Sequence, residues 1–156
     1  MVEERAERAS KPGPVRPVVN RDNAYFFEGT HEQELRIQKC NKCGVLRHPP
    51  GPACPDCGAL DRGYVVARGE GTVFSYLVHH APRVPGKELP LVIALVDLDE
   101  GVRMVAEVTG VPPEGPDGLA IGDRLAVGWN VVDEELTLPV WHRISRAAVA
   151  RAGEDA

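Results

Sequence analysis

Residues 40–58 read CNKCGVLRHPPGPACPDCG, and the four cysteines in them, Cys40, Cys43, Cys54 and Cys57, stand as C-x2-C-x10-C-x2-C. In each pair the second cysteine is followed by glycine, Gly44 or Gly58, the residue that accepts positive φ without strain. Such a knuckle turns tightly enough to aim backbone N–H groups at thiolate sulfur. A tetrahedral Zn²⁺ held by four thiolates, a closed site with no position left for substrate, is the leading reading.

Two rivals bear on those cysteines. Disulfides suit an exported chain, but residues 2–11 are mostly charged and hold no apolar signal-peptide core, so reduced thiols and a cytoplasmic location are expected. Iron in a rubredoxin-like site uses the same paired knuckles. The ten residues between the pairs leave little room for a redox protein's aromatic core, and a much larger segment without electron-transfer features follows. Colour and metal analysis separate the two metals.

The 156 residues suffice for one ordinary domain or two small ones with a real core. Hydrophobic residues make up 43%, mean hydropathy is −0.21, and no stretch approaches the roughly 20 apolar residues of a membrane helix. Sixteen glycines and fourteen prolines favour short strands joined by turns. Four thiolates and one Zn²⁺ take the formal charge from −5 to about −7, a field that repels polyanions on average.

Residues 1–19 mix charge with proline and read as a tail or linker. Residues 20–38 read as a helical segment, capped by Asp22 or Asn23 and broken near Gly29-Thr30 into two short helices. The adjacent aromatics Tyr25, Phe26 and Phe27 cannot share one core, so at least one is expected against the zinc module or a partner. Residues 39–66 form the ribbon. Strand-like runs follow at 71–80, 91–99, 102–109, 124–132 and 138–144, with Asp99-Glu100-Gly101 joining the second and third as an antiparallel hairpin. Leu125, Val127, Trp129 and Val131 alternate with less apolar neighbours, which predicts one buried face. Five antiparallel strands within 67–144 suit an OB-type barrel, with an open meander or small sandwich as the competing architecture. Residues 145–156 read as a C-terminal tail. The expected fold class is mainly β: short N-terminal helices, a rubredoxin-like ribbon, then a five-stranded barrel.

This order resembles the family long called domain of unknown function thirty-five, the OB-fold acyl-CoA-associated proteins. The segments that carry the likeness are Asn23–Gly29, Leu35–Gly44, His48–Gly58, Gly69–Ser75, Leu98–Arg103 and Ile121–Leu125, spread in family order over residues 20–144. The resemblance implies a non-catalytic accessory subunit of thiolase-superfamily enzymes that make or break carbon–carbon bonds in CoA thioesters. Residues 17–23 are similar to the version behind hydratase subunits in bacterial steroid side-chain degradation, which implies a hetero-oligomer with a thiolase-like aldolase, or else an acyltransferase.

The residues themselves argue against independent catalysis. All cysteines are committed, and none of the three serines, Ser10, Ser75 and Ser145, lies in a G-x-S-x-G elbow. No phosphate-cradling glycine loop occurs. His31, His79, His80 and His142 lack any motif; His48, with Arg47, is set apart by its place beside the knuckles. A CoA contact needs cations, for which Arg47, His48, Arg83, Lys87 and Arg103 are candidates, each weighed against an ordinary solvated side chain. Tyr25, Phe26, Phe27 and Trp141 are the candidates for a partner interface, each weighed against a core position. A single-strand nucleic-acid module is the alternative function, disfavoured by 5% aromatics and by Asp97, Asp99, Glu100 and Glu107 on the strands.

Overall fold

The computed structural model describes residues 13–147. Residues 1–12 and 148–156, within the two expected tails, lie outside the described residues. Nine elements follow in order: α1 (Ala24–His31), β1 (Leu35–Cys40), β2 (Leu46–Arg47), β3 (Arg62–Ala67), β4 (Glu70–His79), β5 (Leu91–Leu98), β6 (Arg103–Thr109), β7 (Arg124–Val131) and β8 (Thr137–Ser145).

The N-terminal segment corrects the expectation of two helices. One helix forms, and Leu35, Ile37 and their neighbours are strand. Apolar Leu35 and Ile37 stand two apart, the spacing of one strand face, and both are fully enclosed. Gly29 does not break the helix: a Cβ there would lie 2.7 Å from the Arg36 stem and 2.8 Å from the Glu34 carbonyl, so glycine admits the first strand against the helix. The reversal comes at Gln33, with φ 61. Asn23 is the N-cap residue, but its Oδ1 accepts from Asn20 N–H and its Nδ2 donates to Val18 carbonyl, so it bonds back toward the preceding turn instead of capping.

β1 pairs antiparallel with β2 and with β3, giving the ribbon a small sheet in the order β2-β1-β3. The remaining strands close a barrel in the order β4-β5-β6-β8-β7, with β7 returning to β4. Every pairing is antiparallel except β6 with β8. That is OB-fold topology, and it removes the meander alternative. The Asp99–Gly101 hairpin forms as read, with Gly101 at φ 87.

Val73, Val92, Ala94, Val96, Met104, Leu125 and Trp141 belong to one buried cluster that also takes in Phe26, Leu35 and Ile37, so ribbon and barrel share a core. β7 keeps the expected face over most of its length: Leu125 is enclosed and Val127 and Trp129 pack partly buried against the core, while Val131 is exposed where the strand runs past its partner β4. Asp123, fully buried, fixes the turn into β7. Its carboxylate accepts from the N–H groups of Ala120 and Ala147, with Arg143 at 3.4 Å.

Trp141 requires a correction. Its register, paired with Val127 on β7 and Val108 on β6, turns it into the barrel interior with no exposed surface, so it is a core residue.

Candidate functional site

The two knuckles repeat one hydrogen-bond pattern. Gly44 N–H donates to Cys40 carbonyl at 2.9 Å and Gly58 N–H to Cys54 carbonyl at 3.0 Å; Cys40 N–H donates to Val45 and Cys54 N–H to Ala59, each at 2.9 Å. Positive φ at Gly44 (79) and Gly58 (69) closes each turn. The pattern brings all four Sγ atoms within 4.8 Å of one another, with Cys40 to Cys57 at 3.6 Å and Cys43 to Cys54 at 3.5 Å. Sulfurs about 2.3 Å from a shared zinc are about 3.8 Å apart, whereas a disulfide needs about 2.05 Å. The spacing fits a four-thiolate metal and not a bridge.

Local charge chemistry agrees. The backbone N–H of Cys43 and then that of Lys42 hold the Cys40 thiol down to about 6 against the effect of burial. Cys43 goes the other way, to about 12: the Val45 N–H favours its thiolate but is outweighed by burial and by the neighbouring thiols of Cys40, Cys54 and Cys57. One thiolate forms readily and the next is resisted, so complete ionisation of the cluster needs a cation at its centre.

The ribbon around the site is tied down by polar side chains. Gln38 makes two 2.8 Å hydrogen bonds with the backbone of Gly51, one in each direction. Arg47 donates to Ala53 carbonyl at 2.6 Å, and a Cβ on Gly51 would sit 2.5 Å from its guanidinium. Arg62 donates to Pro52 carbonyl at 2.9 Å and forms an ion pair with Asp22, which joins the second knuckle's approach to the start of α1.

The aromatic triplet clamps this module. Tyr25 stacks on Tyr64 of β3, with centroids 5.6 Å apart and planes 4° from parallel. Phe26 is buried, lying edge-on to Phe27 at 5.4 Å and 5.2 Å from the His48 ring. The expected choice between zinc module and partner falls to the module for Tyr25 and Phe26, which corrects Phe26 as an interface residue; Phe27 stays half-buried. The signal was in the sequence, in Tyr64, but nothing there paired it with Tyr25.

The five cations considered for CoA stand in three places. Arg47 and His48 lie in and beside β2, Arg83 and Lys87 line one open cavity of about 770 Å³ at the β4–β5 loop, and Arg103 opens β6. Arg103 stacks 3.5 Å over Phe74 and pairs with Asp97; Lys87 pairs with Glu107.

His48 has lost its charge to burial, which drives it from the ordinary 6.5 down to about 4, and its Nδ1 is enclosed without a partner. A depressed histidine leaves stability intact above its unfolded value and removes it as pH falls toward the folded one. The metal-loaded chain is therefore expected to lose on the order of 2–3 kcal/mol between pH 6.5 and about 4 through this ring. His48→Phe should flatten that part of the profile in chemical denaturation across the range; an unchanged profile refutes the assignment.

Profiles of two family domains match the chain: the rubredoxin-like zinc ribbon domain of ChsH2 over residues 27–61 and the C-terminal OB-fold domain of ChsH2 over residues 64–130. A solved chain described as "Ltp2-ChsH2(DUF35) aldolase" is 48% identical, with a TM-score of 0.75, covering 82% of this chain and 98% of that one. The chain belongs to the DUF35 family. Its ribbon is of the rubredoxin-like zinc type, with four cysteines positioned to bind a metal ion.

Among DUF35 relatives, a "DUF35 domain-containing scaffold protein" of Methanothermobacter thermautotrophicus is 33% identical over 65% of this chain and 75% of its own length. The "3-oxo-4,17-pregnadiene-20-carboxyl-CoA hydratase alpha subunit" of Mycobacterium tuberculosis is 46% identical over 81% of this chain and 38% of its own length. The DUF35 chain spans about two-fifths of the hydratase alpha subunits it matches. No helix among the described residues is long and apolar enough to cross a membrane.

Proposed function

We propose that this chain is a non-catalytic accessory unit that binds and stabilises a thiolase-superfamily subunit acting on acyl-CoA thioesters, the pair working as a carbon–carbon lyase in bacterial steroid side-chain degradation. The observation that carries the reading is the 48% identical match to the DUF35 component of an aldolase, which extends over 98% of that chain. The site chemistry supports it: the four thiolates form a closed shell around one ion, so the metal is structural and offers no position for substrate. Zinc is the metal assigned, and the cytoplasm, where thiols stay reduced, is the compartment.

Any direct CoA contact is assigned to Arg83 and Lys87, the two candidate cations that share a cavity. Arg83 stands there beside apolar Val84 and Leu89, while Lys87 is paired with Glu107 and would have to exchange that partner for a phosphate.

The test is reconstitution. The chain, expressed with and without a thiolase-like subunit of the Ltp2 type, is expected to cleave no thioester alone, to co-elute with that subunit, and to carry one zinc per chain by elemental analysis. Turnover by the isolated chain, or failure to co-elute with or alter the partner's activity, overturns the proposal. A red protein that bleaches on reduction overturns the zinc assignment alone.

A further inference from the structure

In a barrel strand, successive side chains alternate between core and solvent. β5, LVIALVDL, breaks that economy by being apolar on both sides. Val92, Ala94 and Val96 enter the core cluster, which leaves Ile93 and Leu95, both partly exposed, on the outer face, with Leu91 already buried at its end. Register carries the outer stripe across neighbouring strands: Leu77 of β4 stands opposite Ile93, and Val105 of β6 opposite Leu95. Leu77 is 53% exposed and Val105 58%. Phe74, beside the bulge in β4, extends the stripe with Arg103 stacked on its ring.

The same face continues into a groove of about 470 Å³ whose walls include Ile93, Val105, Leu138 and Pro139. Strands that are apolar on both faces occur where both faces are covered. Something other than water belongs on this surface.

Neither stretch flanking the described residues suits it. Residues 1–12, MVEERAERASKP, carry six charged side chains, and residues 148–156, AVARAGEDA, carry three. The charges bordering the stripe are already matched within the chain, Lys87 with Glu107 and Arg103 with Asp97. A paired rim around an apolar centre is complementary to an uncharged apolar protein surface, not to a polyanion or an acidic peptide.

Resting on the function proposed above, we infer that the outer face of β4-β5-β6, centred on Leu77, Ile93, Leu95 and Val105, is the docking surface for the thiolase-like subunit, which covers it with a neutral apolar patch. The ribbon then holds the barrel's shape and does not form the centre of the contact.

The test measures affinity of the full chain for the thiolase-like subunit by calorimetry, for wild type, Leu77→Asp, Val105→Lys, Leu77→Met and Leu60→Asp. Leu60 is an exposed leucine on the ribbon, far in sequence from the stripe. Expected is a loss of at least about tenfold for Leu77→Asp and Val105→Lys, with Leu77→Met and Leu60→Asp near wild type. Both stripe positions are solvent-facing, so melting temperatures should stay close to wild type, and two independent positions guard against a folding defect in one.

Wild-type affinity in both charged variants overturns the docking face while leaving the accessory role standing. Loss confined to Leu60→Asp transfers the contact to the ribbon and overturns it equally. Absence of wild-type binding defeats the proposed function and this inference together. A wild-type dimer by light scattering that Leu77→Asp converts to monomer, with affinity for the thiolase-like subunit unchanged, reassigns the face to self-association and overturns the inference.

Discussion

Cys43→Ala is expected to abolish metal binding and unfold the ribbon. Three thiolates are left around a position built for four, and structural zinc sites contribute apparent energies on the order of 10 kcal/mol to small modules that lack a core of their own. The loss should not stay local. Leu35 and Ile37 of β1, the strand that ends at Cys40, lie in the same buried cluster as Val96 and Trp141 of the barrel, and Tyr25 and Phe26 pack on Tyr64 and His48. Melting of the ribbon therefore exposes one side of the barrel core. The expected readout is zinc content falling from about one per chain to near zero, with loss of the cooperative unfolding transition at its wild-type position; a strong chelator on the wild type should reproduce it. A variant that retains stoichiometric zinc and melts as the wild type does refutes the assignment of Cys43 as a ligand.

Trp141→Ala is expected to cost about 3–5 kcal/mol in denaturant unfolding, the range for removing a fully enclosed aromatic. The indole sits between β6 and β7 with its Nε1 enclosed and unpartnered, so the residue contributes by volume and not through a hydrogen bond. Trp141→Phe should consequently recover most of the loss, because it keeps much of the filling and removes an unsatisfied donor. Partner affinity, corrected for the folded fraction, should match wild type in both variants. A variant with native stability and no affinity for the thiolase-like subunit places Trp141 at the interface instead.

The two outcomes mark what the sequence displayed and what it concealed. The ribbon was legible because four cysteines at fixed spacing admit few geometries, and Gly44 and Gly58 each announce a required backbone conformation. The Asp99–Gly101 turn was legible for the same reason. β1 is hidden in the sequence because Gly29 reads as a helix breaker, whereas its missing side chain makes room for Arg36 of the strand that folds back seven residues later, a contact that neither helical nor strand periodicity encodes. Trp141 was ambiguous because an aromatic residue in a strand suits a core and an interface alike; only the register with Val108 and Val127 decides between them. The run Leu91–Val96 announced a strand, but which of its faces the chain leaves bare depends on where β4 and β6 fall beside it. The candidate cations were the least legible, since charge alone does not report whether an arginine is already engaged, as Arg47 is with Ala53 carbonyl.

The parallel pairing of β6 with β8 has a bearing on biosynthesis. β8, the last strand among the described residues, is seated between two earlier ones, so a nascent polypeptide can assemble its metal-bound knuckles well before the ribosome has released the segment that seals the cylinder. Until then β6 and β7 lack their common neighbour, and the oily strand β5 is exposed to the crowded cell. Pairing of Val108 with Trp141 joins strands separated by the whole of β7, a non-local step slower than forming the β7–β8 hairpin.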